Sequence, residues 1–146
     1  CTRQDTIKLA SLSTAKLNEE ETRCAIAARL FMWEHNVVQP AARQHLGEPV
    51  AEILHFGSYS CRNIRGSSAT SEHATANAFD ISGFRLRSGK LISLKQQWQG
   101  NQPPAEFLRE VRNGACDYFN LVLSPDYNAD HHDHLHVDMG WYRGCN

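Results

Sequence analysis

The spacing of apolar positions divides the chain into short helices and strands. Cys24, Ala27, Ala28, Leu30 and Phe31 recur at helical intervals behind Asn18-Glu19-Glu20-Glu21, which reads as an N-cap with acid at the third helical position. A helix is therefore predicted from Asn18 to just before Pro40. Residues 41–46 predict a second short helix closed by Gly47, and residues 50–56, bounded by Pro49 and Gly57, predict a strand. Residues 57–72 are rich in Ser, Arg, Asn and Gly without periodicity, the profile of a long loop that carries function.

Residues 78–81 and 84–87 read as strand, and Ser88-Gly89 before the apolar run 91–94 signals a hairpin. Pro103-Pro104 open a third helix, with Phe107, Leu108, Val111 and Ala115 on one face and Cys116 and Phe119 at its end. A short strand at 121–123, a turn region at 124–130 and an alternating strand at 134–138 complete the pattern. No internal repeat is present. Helices at both flanks of strands joined by short turns predict one α+β domain, built on a small antiparallel sheet. The aromatic set Phe31, Trp33, Phe107 and Phe119 is expected in its core, while Trp98 and Trp141 could line a groove that accepts a glycan strand.

Composition narrows the function classes. The 146 residues suit a single domain, and 41% hydrophobic with 21% charged residues is ordinary for a globular chain. Fifteen basic against 16 acidic residues leave a formal charge of −1, so no broad basic field exists to hold a nucleic acid backbone. The apolar runs fall well short of the roughly 20 residues of a membrane-spanning helix. Cys1, Cys24, Cys61, Cys116 and Cys145 are scattered, with no C-x-x-C pair of a thiolate metal site or redox motif. They are read as disulfide staples, which implies a periplasmic or secreted protein, with the connectivity left open. Cys1 at the first position is also compatible with a lipid anchor.

Four of the eight histidines, His131, His132, His134 and His136, fall within six residues. In an extended strand His134 and His136 share one face about 7 Å apart, while Leu135 and Val137 face the core. His132 is expected in solvent, and Asp133 in a regular strand would point away from His134. A catalytic zinc site takes three His or carboxylate ligands and keeps a fourth position for water, so His136 needs partners elsewhere. The other compact His/carboxylate pair is His73 with Asp80. His35, His45 and His55 enter no site.

The run Ser71-x-His73-x6-Asp80 resembles the first zinc motif of the superfamily of D-Ala-D-Ala metallopeptidases, penicillin-insensitive murein endopeptidase and lysostaphin-type enzymes. His131-x-x-His134-x-His136 resembles the second. A closer likeness is to the extensin-like C-terminal domain of bacterial proteins, carried by Gly57-Ser58-Tyr59-Ser60-Cys61-Arg62-Asn63, Ser71-Glu72-His73-Ala74, Gly114-Ala115-Cys116, Pro125-Asp126-Tyr127-Asn128 and His134-Leu135-His136-Val137-Asp138. The resemblance covers residues 20–146, so residues 1–19 are read as an N-terminal extension.

The resemblance implies zinc held by His73, Asp80 and His136, His134 as general base, and His131, Ser71 and Arg62 at the substrate. Ala76 stands where the D-Ala-D-Ala enzymes commonly carry glycine, and Asp133 where they often carry Glu or His. The implied activity is a zinc-dependent peptidoglycan hydrolase, of D,D-endopeptidase or carboxypeptidase type, cleaving an amide bond in stem peptides or crosslinks. The alternative is a non-catalytic cell-wall binding module that retains the peptidase fold. A His-rich metal-dependent nuclease is disfavoured by the charge balance.

Overall fold

The computed structural model describes all 146 residues as one α+β domain. Its strands are β1 (Thr6–Ser11), β2 (Lys16–Arg23), β3 (Val50–Gly57), β4 (Ala78–Leu86), β5 (Leu91–Ser93), β6 (Leu121–Leu123), β7 (Leu135–Asp138) and β8 (Gly144–Cys145). The helices are α1 (Cys24–Trp33), α2 (Gln39–Leu46), the single turn α3 (Leu94–Gln97) and α4 (Pro103–Ala115). All the strands join in one sheet of order β1-β2-β3-β4-β7-β6-β8, with β5 added on β4. The sheet is larger than the sequence pattern suggests, and it is mixed: β2–β3 and β6–β8 run parallel, the other pairs antiparallel.

The start of the chain departs most from expectation. Asn18–Glu21 do not cap a helix; they lie in β2, opposite β1, with Lys8 facing Glu21 in register. Their carboxylates find partners across the sheet: Glu21 accepts from Thr6 and Arg3, and Glu20 accepts from the backbone N–H groups of Ser58 and Tyr59. Those non-local bonds override the local helix signal, and α1 starts at Cys24 without a side-chain cap. The boundary between residues 19 and 20 thus falls inside a strand. Residues before it are bonded into the fold, since Thr2 N–H donates to Ala74 O and Asp5 O accepts from Cys24 N–H, both 3.0 Å.

The helical path also continues to Pro40 through a wide π turn, Glu34–Val38, because Pro40 occupies the first turn of α2, where its missing N–H leaves no bond unmade. Gly47 closes α2 in the left-handed conformation, as its position predicts.

α1, α2 and α4 bury Ile26, Leu30, Trp33, Ala41, Ala42, Phe107, Leu108 and Val111 against Ile53, Phe84 and Leu86 of the sheet. Trp33 donates its indole N–H to Val111 O (2.9 Å), and Phe84 meets Phe107 edge-on at 5.2 Å. The disulfides are Cys1–Cys61, tying the N-terminus to the 57–72 loop, and Cys116–Cys145, tying the end of α4 to β8; Cys24 is free and exposed.

Candidate metal centre

The central strands β4 and β7 set the site. Their antiparallel register places Asp80 directly opposite His136, and the side-chain alternation that sends Leu135 and Val137 into the core turns His136 and Asp138 to the other face. His73 arrives on a short 3-10 turn, Glu72–Thr75, at the end of the long loop. Ser71 caps that turn, its hydroxyl accepting from His73 N–H at 3.2 Å. The turn ends at Ala76, which is fully buried and left-handed at φ 54°, a conformation glycine adopts without steric cost. Its carbonyl accepts from Arg23 N–H, fixing the path from the turn into β4.

Three ligand-type atoms converge. One nitrogen each of His73 and His136 and an Asp80 oxygen lie within 4.8 Å of one another. His73 Nδ1 donates to Ser58 O at 2.6 Å, which fixes the tautomer and leaves Nε2 with its lone pair toward Asp80 Oδ2, 3.1 Å away. That Nε2 is buried and has no hydrogen-bond partner. His136 Nδ1 lies 3.0 Å from Asp80 Oδ1, and its Nε2 lies 2.8 Å from Asp138 Oδ2. A buried N, O, N donor set with one orphaned imidazole nitrogen and each histidine held from behind by an oxygen could hold a metal ion.

Burial raises the Asp80 carboxyl, but the adjacent His136 and His73 imidazoles outweigh it and hold Asp80 far below the usual carboxylate range. Burial lowers His136, yet Asp138 and Asp80 push it up to about 9. His131 is driven down to about 4 by burial and by repulsion from His134 and His136, so it is neutral at pH 7.

The flanking histidines gather at the same place. His134 Nε2 lies 3.8 Å from Asp80 Oδ1, and its Nδ1 lies 2.9 Å from Asp133 Oδ1. Asp133 therefore does not point away; the chain is still turning before β7 begins, and strand parity does not apply. The same turn, from the 3-10 segment Ala129–His131, brings His131 to ring distances of 5.0 Å from His134 and 6.1 Å from His136. Asn128 Oδ1 sits 2.6 Å from His131 Nδ1.

Arg62 stands in the loop, exposed, with its carbonyl accepting from Ser71 N–H; its guanidinium has no partner within the chain. His132 is exposed. His35 stacks on Phe31, His45 bonds Glu110, and His55 packs on Phe79, all away from the ligand set.

Sequence reasoning missed the roles of Ser58, Asp133, Asp138, Phe56 and Tyr127. Asp138 carried a usable signal, standing two residues beyond His136 on the same strand face. Tyr127, edge-on to His131, stands four residues before it within a motif that carries the family likeness, whereas Phe56, edge-on to His134, comes from a distant segment and carried no signal.

The fold and site together define an α+β domain with a buried His–Asp–His group suited to a metal. The family described as "Extensin-like protein C-terminus" matches residues 1–146, the whole chain, and the chain belongs to that family. No curated protein and no solved structure matches it significantly.

Proposed function

We propose that the chain is a zinc-dependent peptidoglycan hydrolase acting on an amide bond of stem peptides or crosslinks, as the likeness of its two histidine motifs to the D-Ala-D-Ala and murein endopeptidase group suggests. The observation that carries this reading is the orphaned Nε2 of His73, buried beside Asp80 and His136 with a further imidazole, His134, at the edge of the same group. Two disulfides are compatible with an extracellular or periplasmic protein, where such a substrate lies.

His73 Nε2, an Asp80 oxygen and His136 Nδ1 would hold the ion. When bound, zinc supplies a Lewis acid for the scissile carbonyl and a water of lowered pKa. The remaining roles fall to the chain's own groups. Asp138 holds His136 by Nε2 and so aims Nδ1 inward. His134 presents Nε2 to the site, while Asp133 holds Nδ1 and stabilises the imidazolium formed when His134 takes the proton of the attacking water. Neutral His131 adds a hydrogen-bonding group beside it. Arg62, unpaired and exposed, is suited to a substrate carboxylate or carbonyl. Ser71 serves chiefly by capping the turn that carries His73.

Intact sacculi incubated with the zinc-loaded protein should release muropeptides with newly cleaved stem peptides, and His136→Ala should release none while its circular dichroism is unchanged. Retention of the protein on sacculi without release by the wild type would instead identify a wall-binding module. Cleavage of plasmid DNA would identify a nuclease.

A further inference from the structure

A cavity of about 630 Å3 opens beside the His73 turn without including any of the candidate metal ligands. It is lined by Arg23 at the end of β2, Glu72 and Asn77 around the His73 turn, Asn120 before β6, and Trp141 and Arg143 after β7. The segment carrying Trp141 is pinned. Gly140 N–H donates to Asp138 Oδ1 (2.9 Å) and Gly140 O accepts from Asn120 Nδ2 (2.7 Å). A Cβ at Gly140 would lie 2.5 Å from Glu72 Oε1, so a side chain at this position would push the Glu72 carboxylate aside. Asp138 thus holds both the metal-ligand candidate His136 and the wall of this cleft.

What the wall presents is unusual for a surface with no ligand. Trp141 is 97% exposed, whereas Trp33 and Trp98 are 0% and 4% exposed; Trp98 is closed off by its bond to Asp126 and lines no groove. Neither Arg23 nor Arg143 has a carboxylate partner in the chain, and Glu72 is engaged by Asn77 Nδ2 at 2.7 Å. Asn77 and Asn120 use their amide N–H groups internally and leave their Oδ1 atoms as acceptors.

We propose that this cleft binds a glycan strand whose sugars bear carboxylates. The indole face of Trp141 takes the apolar face of a sugar ring, Arg23 and Arg143 take its carboxylate, and the Asn77 and Asn120 oxygens take hydroxyl donors. A peptide fits less well, because the wall offers only Met139 and Trp141 as apolar surface for side chains. The cleft adjoins the His73 turn through Glu72 and the back of His136 through Asp138 and Gly140. The assignment rests on Trp141 and the arginines and is independent of hydrolysis.

The test is a fluorescence titration of the intact protein with peptide-free strands of alternating N-acetylglucosamine and N-acetylmuramic acid, whose lactyl carboxylates are free. These strands contain no stem-peptide amide to cleave. Saturable quenching is expected, abolished in Trp141→Ala and weakened about tenfold in Arg143→Ala and in Arg23→Ala. Uncharged chitooligosaccharides of equal length should bind about tenfold or more weakly. Unchanged emission, equal affinity for the neutral sugar, intact binding by Trp141→Ala measured calorimetrically, or preference for free stem peptides would each overturn the proposal.

Discussion

Two clusters of buried polar groups lie in this domain, and they are built in opposite ways. At Glu34, fully buried in the turn between α1 and α2, every demand of the carboxylate is met: it accepts from the N–H groups of Ser13, Thr14 and Ala15, from the Ser13 hydroxyl and from Gln39 Nε2. Gln39 in turn closes two bonds with the backbone of Val50. The cluster staples the β1–β2 turn and the start of β3 to the helical layer, and nothing in it is left over. At His73, Asp80 and His136, on the central strands and the turn beside them, a buried imidazole nitrogen has no partner and the surrounding groups are held from outside, by Ser58, Asp133 and Asp138. Buried polar groups are normally satisfied, so the closed cluster explains itself by folding and the incomplete one calls for something that the chain does not supply.

Removing His136 should have the largest effect on the incomplete cluster. His136→Ala is expected to lose metal and muropeptide release together while remaining folded by circular dichroism, with a lower chemical-denaturation midpoint because Asp80 and Asp138 lose their shared partner. The mirror-image variant, Glu34→Ala, should destabilise the fold by about 3 kcal/mol in urea unfolding, because it strands several buried donors, and should leave metal stoichiometry untouched. A large loss of metal in Glu34→Ala would erase the distinction between the clusters.

The pH dependence sharpens it. Burial raises the Glu34 carboxyl, but its hydrogen bonds together outweigh that and hold it below its ordinary value of 4.5. Its stabilisation is therefore fully present above about pH 4.5 and is lost as pH falls through the lower folded value. Glu34→Gln should be less stable at neutral pH, with a shallower loss of stability under acid than the wild type.

Smaller effects separate the supporting carboxylates. Asp138→Asn should weaken zinc affinity by about 10- to 100-fold, whereas Asp133→Asn should leave affinity in place and slow hydrolysis by a similar factor. Competition with a chromophoric chelator and a rate assay at saturating zinc distinguish the two. Ala76→Gly should stabilise the domain slightly, by about 0.5 kcal/mol, by relieving a left-handed alanine at the end of the His73 turn.

Much of this contrast was legible along the chain where the relevant partners are near in sequence or follow strand alternation. The helix through Phe107 and Val111, the 57–72 loop, and the shared face of His134 and His136 all follow from local pattern. Geometry then brings His131 to the same group, where a 3-10 turn replaces the strand that parity assumes. What local pattern could not yield depends on distant partners. Glu20 and Glu21 read as a helix cap because Arg3, Thr6 and the Ser58 amide that claim them are not adjacent in sequence. The Glu34 hub was invisible for the same reason: its donors come from a turn 19 to 21 residues earlier. Five scattered cysteines implied staples, but only the fold selects Cys1–Cys61 and Cys116–Cys145 and leaves Cys24 free.

The central claim is that the incomplete cluster is completed by a metal ion, and elemental analysis tests it most directly. Protein purified without a histidine tag and supplied with zinc should carry about one zinc per chain, and His73→Ala, folded by circular dichroism, should carry none. A wild-type protein without metal after zinc supply, or a His73→Ala variant that retains it in full, would contradict the account.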